Sequence, residues 1–395
     1  MSSVRPNLKV ALVTMAPFPG GNVSTLRFSS YMKALLKQGC SSYVLIYCPT
    51  SMAASQEERC GVHEGIRFQY ATKTTWTYGN IIEKIIFLLI GLTKSVWYLH
   101  RFRPDSLILY GDNAAFVVLF YSLVARVLGS KFVGDRSELP TVRQRESYYR
   151  LKLYEAKQRL YDGMIIMTKQ LCDYYSRFSS NKNFVFFMPM TIDVNRFSNI
   201  RAIKEPFVAT VFGTHNRDGL AETIRAYIYY VRKLNGIYNL MLIGNYDKMP
   251  NKDELDTILD NSGIKDKIII KGPVPISNVP LLLASASCLI TTPKVYVSGG
   301  FPTKLGEYML SGTPIVATIA GEMLDYIEPG KDMLMCEPDN ISKIADNIKF
   351  IENHPKEALL LASNAKKKAS SFFNANTYVK ELIPWLKCKQ ITNQH

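Results

Sequence analysis

The stretch that decides the fold is SGGFPTKLGEYMLSGTPIVAT, residues 298–318. It packs two glycines, a proline, a lysine and a glutamate directly ahead of an apolar strand. It also follows one, SCLITTP at 287–293, so the unit reads strand, loop, helix, strand. Gly299 and Gly300 lack a Cβ, so an anion can approach the backbone N–H groups of the loop. Pro302 pre-sets the first turn of a helix over 303–310, and Gly312 stops it. The N–H groups of such a helix start are a ready phosphate site. Lys304 is unfavourable for the helix dipole unless an anion sits nearby. Glu307, one turn on, is placed to accept hydrogen bonds from a ribose diol beside that phosphate. A tight turn before a solvated helix is the plainer reading of glycine and proline alone.

Outward from this unit the same alternation covers the chain. LKVALVTM (8–15) is a continuous apolar run, as a buried parallel strand should be. A helical pattern ends at Gly39, and SYVLIYCP follows as the next strand. SLILY (106–110), KFVGD (131–135), GMIIM (163–167) and FVFFM (184–188) extend the series. Residues 188–206 carry no periodicity and read as a linker, after which FVATVFG opens a second series. That series continues through LMLIG (240–244), KIIIKG (267–272), TPIVAT (313–318) and DMLMC (332–336). The fold class is therefore α/β, with two doubly wound, Rossmann-like parallel-sheet domains. The boundaries read as 1–190, a linker at 191–206, a second domain at 207–375, and a last helix over 376–395 that packs back on the first domain. The length of 395 residues agrees with two domains rather than one.

Charge is unevenly spread. Residues 1–190 carry 24 Lys and Arg against 12 Asp and Glu, while residues 191–395 carry 24 against 21. This one-sidedness points to an anionic surface as partner of the first half: nucleic acid or a membrane leaflet. No recognisable nucleic-acid-binding motif accompanies it, which argues against specific nucleic-acid recognition. Seven scattered cysteines without a CxxC pair form neither a disulfide framework nor a zinc site, and fit reduced thiols and a cytoplasmic location. The five histidines show no metal spacing. The start of the chain reads as a strand and a glycine turn, not a signal peptide. The apolar runs at 85–92 and 114–125 fall short of the roughly 18–20 residues that cross a bilayer. IIEKIIFLLIGLTKSVWYLHRFR (81–103) is unusually apolar with a basic end. It reads either as a helix buried against the first sheet or as one lying in a membrane interface.

The string FPTKLGEY (301–308) followed by Gly312-Thr313-Pro314 closely resembles the C-terminal signature of glycosyltransferase family 4, retaining enzymes of the GT-B fold. The likeness runs through GGNVSTLRFSSYMKAL (20–35), DRSELP (135–140), YDGMIIMTKQL (161–171), MPMTIDVNRF (188–197) and GTHNRDGL (213–220), and so covers nearly the whole chain. It implies two domains facing across a cleft, with a nucleotide-sugar donor (UDP or GDP) held mainly by the second as substrate. No cofactor and no permanent metal is implied. On the residues that match, Glu307 would bind the ribose, and Arg217 and Lys304 would face the diphosphate. Gly213, His215 and the turn Gly299, Gly300, Phe301, Pro302 and Thr303 would surround the donor. Gly20 and Gly21 would approach it from the first domain. Asp112, Asp135 and Glu138 are acceptor-side candidates, with strand-end or cap roles as the plainer alternative. The chain departs from the family pattern at Gly299, where members often carry a glutamate that contacts the sugar. It departs again at 213–219, where Arg217 stands at the lysine position with Thr214 and His215 before it. The implied function is hexosyl transfer with retention to a saccharide or lipid-linked saccharide in cell-surface polysaccharide synthesis, cytoplasmic and peripheral at the inner membrane face. The departing phosphate itself would take the acceptor proton. Same-fold alternatives are a nucleotide-sugar epimerase or a sugar phosphorylase. An alternative of another class is a non-enzymatic protein that binds anionic polymers.

Overall fold

The computed structural model describes residues 8–21, 23–51, 58–77, 79–139, 148–294 and 301–388. The chain divides into two compact units. The first comprises residues up to Asp193 together with those from Asn374 onward, and the second is Val194–Phe373.

In the first unit eight strands form one sheet: β1 (Lys9–Thr14), β2 (Ser41–Ile46), β3 (Cys60–His63), β4 (Ile66–Tyr70), β5 (Ser106–Tyr110), β6 (Lys131–Arg136), β7 (Gly163–Ile166) and β8 (Val185–Phe187). Their spatial order is β8-β7-β6-β5-β1-β2-β4-β3. All neighbours are parallel except the edge pair β3–β4. That hairpin was not anticipated. It turns on Glu64 and Gly65, both with positive φ (48° and 86°), the pairing a tight two-residue hairpin demands. Apolar residues fill these strands because both faces are covered: every residue of β5 and β6 is buried. One cover is the helix Val23–Lys37, whose Phe28, Tyr31 and Met32 enter the core.

The helix Ala375–Lys387 belongs to this same unit. Its Val379, Leu382 and Leu386 complete the core beneath the first sheet. Ser106 Oγ donates to the Leu386 carbonyl at 2.8 Å, and Lys131 Nζ donates to the Trp385 carbonyl at 2.6 Å while lying over its ring. Gly163 has no room for a side chain, since a Cβ there would sit 2.6 Å from the Trp385 ring.

The second unit holds six parallel strands: β9 (Glu205–Val211), β10 (Asn239–Ile243), β11 (Ile268–Gly272), β12 (Ala286–Thr291), β13 (Ile315–Thr318) and β14 (Leu334–Cys336). Their order is β11-β10-β9-β12-β13-β14. The unit begins ahead of β9 with a short 3-10 turn, Val194–Phe197, inside the segment read from sequence as an unstructured linker. The strand order reverses between β9 and β12. In an open parallel sheet, ligands bind beyond the carboxyl ends of the strands at such a reversal.

Candidate active site

Two loops leave the sheet at this switch point. One follows β9 and runs Phe212–Gly219. The other follows β12 and leads to the helix Thr303–Ser311. Gly299 and Gly300 of the second loop lie outside the described residues.

The first loop is closed by Gly219, which has φ +67°. A Cβ there would lie 1.7 Å from the Thr292 carbonyl oxygen at the end of β12, so only glycine lets the two loops meet. Thr292 Oγ1 donates to the Gly219 carbonyl at 2.7 Å and fastens the contact. The helix Leu220–Leu234 then starts from Gly219.

The second loop's helix is anchored through its motif. Tyr308 is fully buried, and its hydroxyl accepts the Val211 N–H at 2.6 Å. The Tyr of the EY pair thus fixes the helix against the end of β9. Pro302 occupies the position just before the helix, without a side-chain cap, and its carbonyl accepts the Leu305 N–H at 2.9 Å. Thr303 is the first helical residue. Gly312 ends the helix at φ +70°. Phe301 was placed among the donor contacts, and here the structure corrects the sequence reading. Its ring is buried against Phe373 and Tyr326, with centroids 5.4 and 5.9 Å away, so the side chain is core and only its backbone can face a ligand.

These anchors bring Gly213, His215, Arg217 and Lys304 together around a residue the sequence reading passed over, Asp218. Its Oδ2 accepts the Gly213 N–H at 2.6 Å and the Lys304 ammonium, and it lies 3.8 Å from His215 Nδ1. Lys304 is 18% and Asp218 13% exposed, so the pair is reachable but not bathed in water. Burial pushes the Lys304 ammonium below its ordinary pKa, Asp218 opposes this, and Arg217 adds to the depression. Burial likewise lowers His215, with Asp218 opposing and Lys304 and Arg217 adding. His215 Nδ1 is buried without a hydrogen-bond partner. The arrangement is therefore two cations, Lys304 and Arg217, beside a histidine whose charged form burial disfavours, with one carboxylate setting the geometry. An ammonium has three donors, so Lys304 keeps donors to offer an incoming anion.

Glu307, one turn further along the helix, is also engaged. Arg196, from the 3-10 turn at the start of the unit, donates Nη1 to Glu307 Oε1 and Nη2 to the Ile276 carbonyl at 2.9 Å. Both side chains are 17% exposed. A carboxylate has acceptor sites on both oxygens, so this leaves Oε2 for another donor such as a ribose hydroxyl. Arg196 lies 111 residues from Glu307 in sequence, and no local pattern marks the pairing.

The remaining candidates sit in the first unit. Gly21 lies in the turn after β1, where a Cβ would meet Thr25 Oγ1 at 2.2 Å and the Pro17 carbonyl at 2.7 Å. Gly20 precedes it in the same turn. Asp135 is corrected as an acceptor-side carboxylate. It is sealed in the interior, with Oδ1 3.3 Å from Arg27 Nη2 and Oδ2 accepting the Tyr31 hydroxyl at 3.0 Å. Burial, with Asp135 adding, holds the Tyr31 phenol well above its usual pKa. Asp112, just beyond β5, is partly exposed and paired with the buried Lys157, which also donates to the Asn113 carbonyl at 2.6 Å. Glu138 is exposed just beyond β6.

Residues 192–368 match the family described as "Glycosyl transferases group 1". The alpha-1,3/1,6-mannosyltransferase ALG2 of Dictyostelium discoideum is 27% identical over 155 residues, a match that spans 36% of this chain and 36% of that protein. Among solved structures, sucrose-phosphate synthase from Thermosynechococcus elongatus aligns with a TM-score of 0.73 at 15% identity, covering 96% of this chain and 99% of that one. The Anabaena protein HepE in complex with UDP aligns with a TM-score of 0.69 at 14% identity, covering 95% and 100%. WaaG, a glycosyltransferase involved in lipopolysaccharide biosynthesis, aligns with a TM-score of 0.66 at 14% identity, covering 95% and 99%. With two parallel Rossmann-like sheets and these likenesses, the fold is GT-B.

Proposed function

We propose that the chain is a glycosyltransferase of the retaining kind, moving a hexosyl group from a nucleoside diphosphate sugar to a saccharide or lipid-linked saccharide. The observation that carries this reading is the cluster at the second unit's switch point. Lys304, Arg217 and His215 gather at the start of the helix Thr303–Ser311, and Glu307 stands one turn away. Cations and a helix start suit a diphosphate, and a carboxylate at that distance suits a ribose diol. The group 1 match over residues 192–368 spans all four residues. UDP is the favoured nucleotide because the structurally similar Anabaena HepE binds UDP, with GDP next. Cell-surface polysaccharide synthesis is the favoured setting, by likeness to WaaG.

In this reading the bond from the anomeric carbon to the diphosphate breaks and the charge grows on the leaving oxygen. Lys304 and Arg217 stabilise that charge, and Asp218 holds Lys304 and the Gly213 loop in place. Fixed donors aimed at developing charge are a large source of rate enhancement. The acceptor oxygen bonds to the anomeric carbon on the face that the diphosphate leaves, and the departing phosphate takes the acceptor's proton, so no carboxylate of the chain is required as base.

Calorimetric titration with UDP, GDP, ADP and CMP tests the reading, repeated on Glu307→Ala. One nucleoside diphosphate should bind, and the variant should lose about 10- to 100-fold in affinity, the usual worth of hydrogen bonds to a charged group. Failure of the folded protein to bind any of the four overturns the proposal.

A further inference from the structure

The first unit carries an apolar surface that the proposed reaction does not use. The helix Ile81–Phe102 is buried only in its second half, through Gly91, Leu92, Ser95 and Leu99. Gly91 lets it lie directly on the chain after β2, since a Cβ there would meet the Tyr47 carbonyl oxygen at 1.7 Å. Its first ten residues, IIEKIIFLLI, include no buried position although eight of them are apolar. Ile82, Ile85, Ile86 and Leu89 are all at least half exposed.

The helix Ala115–Leu128 lies alongside. Tyr121 Oη donates to Ser95 Oγ at 3.0 Å between the two helices, and both residues are buried. This second helix buries Val117, Val118, Tyr121 and Ala125 and turns Phe116, Leu119, Leu123 and Val127 outward. Those outward positions fall on one stripe at helical spacing. Single exposed apolar residues are ordinary, but two adjoining helices with apolar outer stripes are not.

Charge identifies what covers this face. The exposed cations on the two helices that flank this outer face are Lys94, Arg101 and Arg126, while Lys84 falls on the same stripe as the buried Gly91 and Ser95. The two helices contain one acid, Glu83, and its carboxylate accepts the Thr77 hydroxyl at 2.8 Å. A second copy of the same face would set cation against cation. A surface with an apolar interior and anionic headgroups satisfies both features. Trp97 is exposed, stands edge-on to Tyr98 and lies under the Arg101 guanidinium, 5.6 Å from the ring centroid. An indole beside a cation suits the headgroup level of a bilayer. Among the described residues, no helix is long and apolar enough to cross a membrane.

We propose that the helices Ile81–Phe102 and Ala115–Leu128 together form a docking surface for an anionic lipid bilayer, lying in its interface rather than spanning it. The exposed first three turns of the longer helix enter the acyl boundary and the cations bind lipid phosphates. The proposal is independent of the nucleotide reading, and failure of the titration above leaves it standing.

The test is co-sedimentation of the full chain with phosphatidylcholine vesicles and with vesicles that also contain phosphatidylglycerol. The wild type should pellet with the anionic vesicles, be left behind by the neutral ones, and be released by salt. Each cation near such a surface is worth about fivefold in partitioning, so Lys94→Glu/Arg126→Glu should lower binding by about tenfold or more. Leu89→Ser/Leu123→Ser should lower it by about tenfold through lost apolar burial. Both pairs of positions are solvent-exposed, and the melting transition reports that the variants remain folded. A folded wild type that stays in the supernatant at low salt overturns the proposal, as does equal pelleting by wild type and both variants. Concentration-dependent dimerisation abolished by Leu89→Ser/Leu123→Ser, without vesicle binding, assigns the face to a second copy instead and also overturns it.

Discussion

Each unit places an ion pair of its own near the carboxyl ends of its strands, and the two pairs behave differently because water reaches only one. Arg27–Asp135 in the first unit has side chains 1% and 0% exposed. Arg27 also donates to the carbonyls of Met188 and Pro189, so the pair is built into the interior and ties the helix Val23–Lys37 to the chain leaving β8. Lys304–Asp218 in the second unit keeps part of its surface open. Its carboxylate is spent on positioning, and its ammonium retains donors for a ligand. An acid and a base close together in space do not by themselves mark a site. Access by a third party separates the structural pair from the one to which we assign a function in the proposal above.

Substitutions should break this contrast cleanly. Asp135→Ala leaves a buried guanidinium without its counter-charge. It should cost about 3–5 kcal/mol of stability, read as a lowered chemical-denaturation midpoint. Lys304→Met should cost much less stability and instead weaken nucleoside diphosphate binding about 10- to 100-fold by calorimetry. If Lys304→Met proves the more destabilising, the contrast fails. Arg196→Met sharpens it further. Arg196 orients Glu307 and does not itself hold the ribose, so binding should weaken by about twofold to fivefold, less than for Glu307→Ala. A gain in affinity would mean that the arginine holds the carboxylate away from the ligand.

Much of this architecture could be read before the structure, and the reason is local. Buried parallel strands are short apolar runs bounded by turns, and SLILY and GMIIM carry that signal within five residues. The hairpin Cys60–Tyr70 was missed although its alternation is present: Ile66, Phe68 and Tyr70 are buried while Arg67 points out. Its turn is Glu-Gly, a weaker cue than Asn-Gly, and its first strand is largely exposed. The helix around Glu307 was legible: Pro302 stands just before Thr303–Ser311 and Gly312 ends it, as the sequence pattern expects. Asp218 was legible in principle, because an acid inside a turn proposed to bind anions needs a cation to justify it. Arg196 was not, since its partner is set by how the chain returns in space. Asp135 and Phe301 misled because sequence shows a residue's chemistry and not its exposure.

The helix Ala375–Lys387 has a consequence for synthesis. The chain begins the first unit, leaves it at Asp193 for the whole of Val194–Phe373, and comes back at Asn374 to supply the core residues Val379, Leu382 and Leu386. Chains emerge from the ribosome in order, and domains generally fold as they become complete. The unit started first is therefore the last to be finished. Until the helix Ala375–Lys387 is released, a nascent chain holds a complete second unit and a first sheet whose core is open on one side, and that exposed core is the surface a chaperone would have to shield.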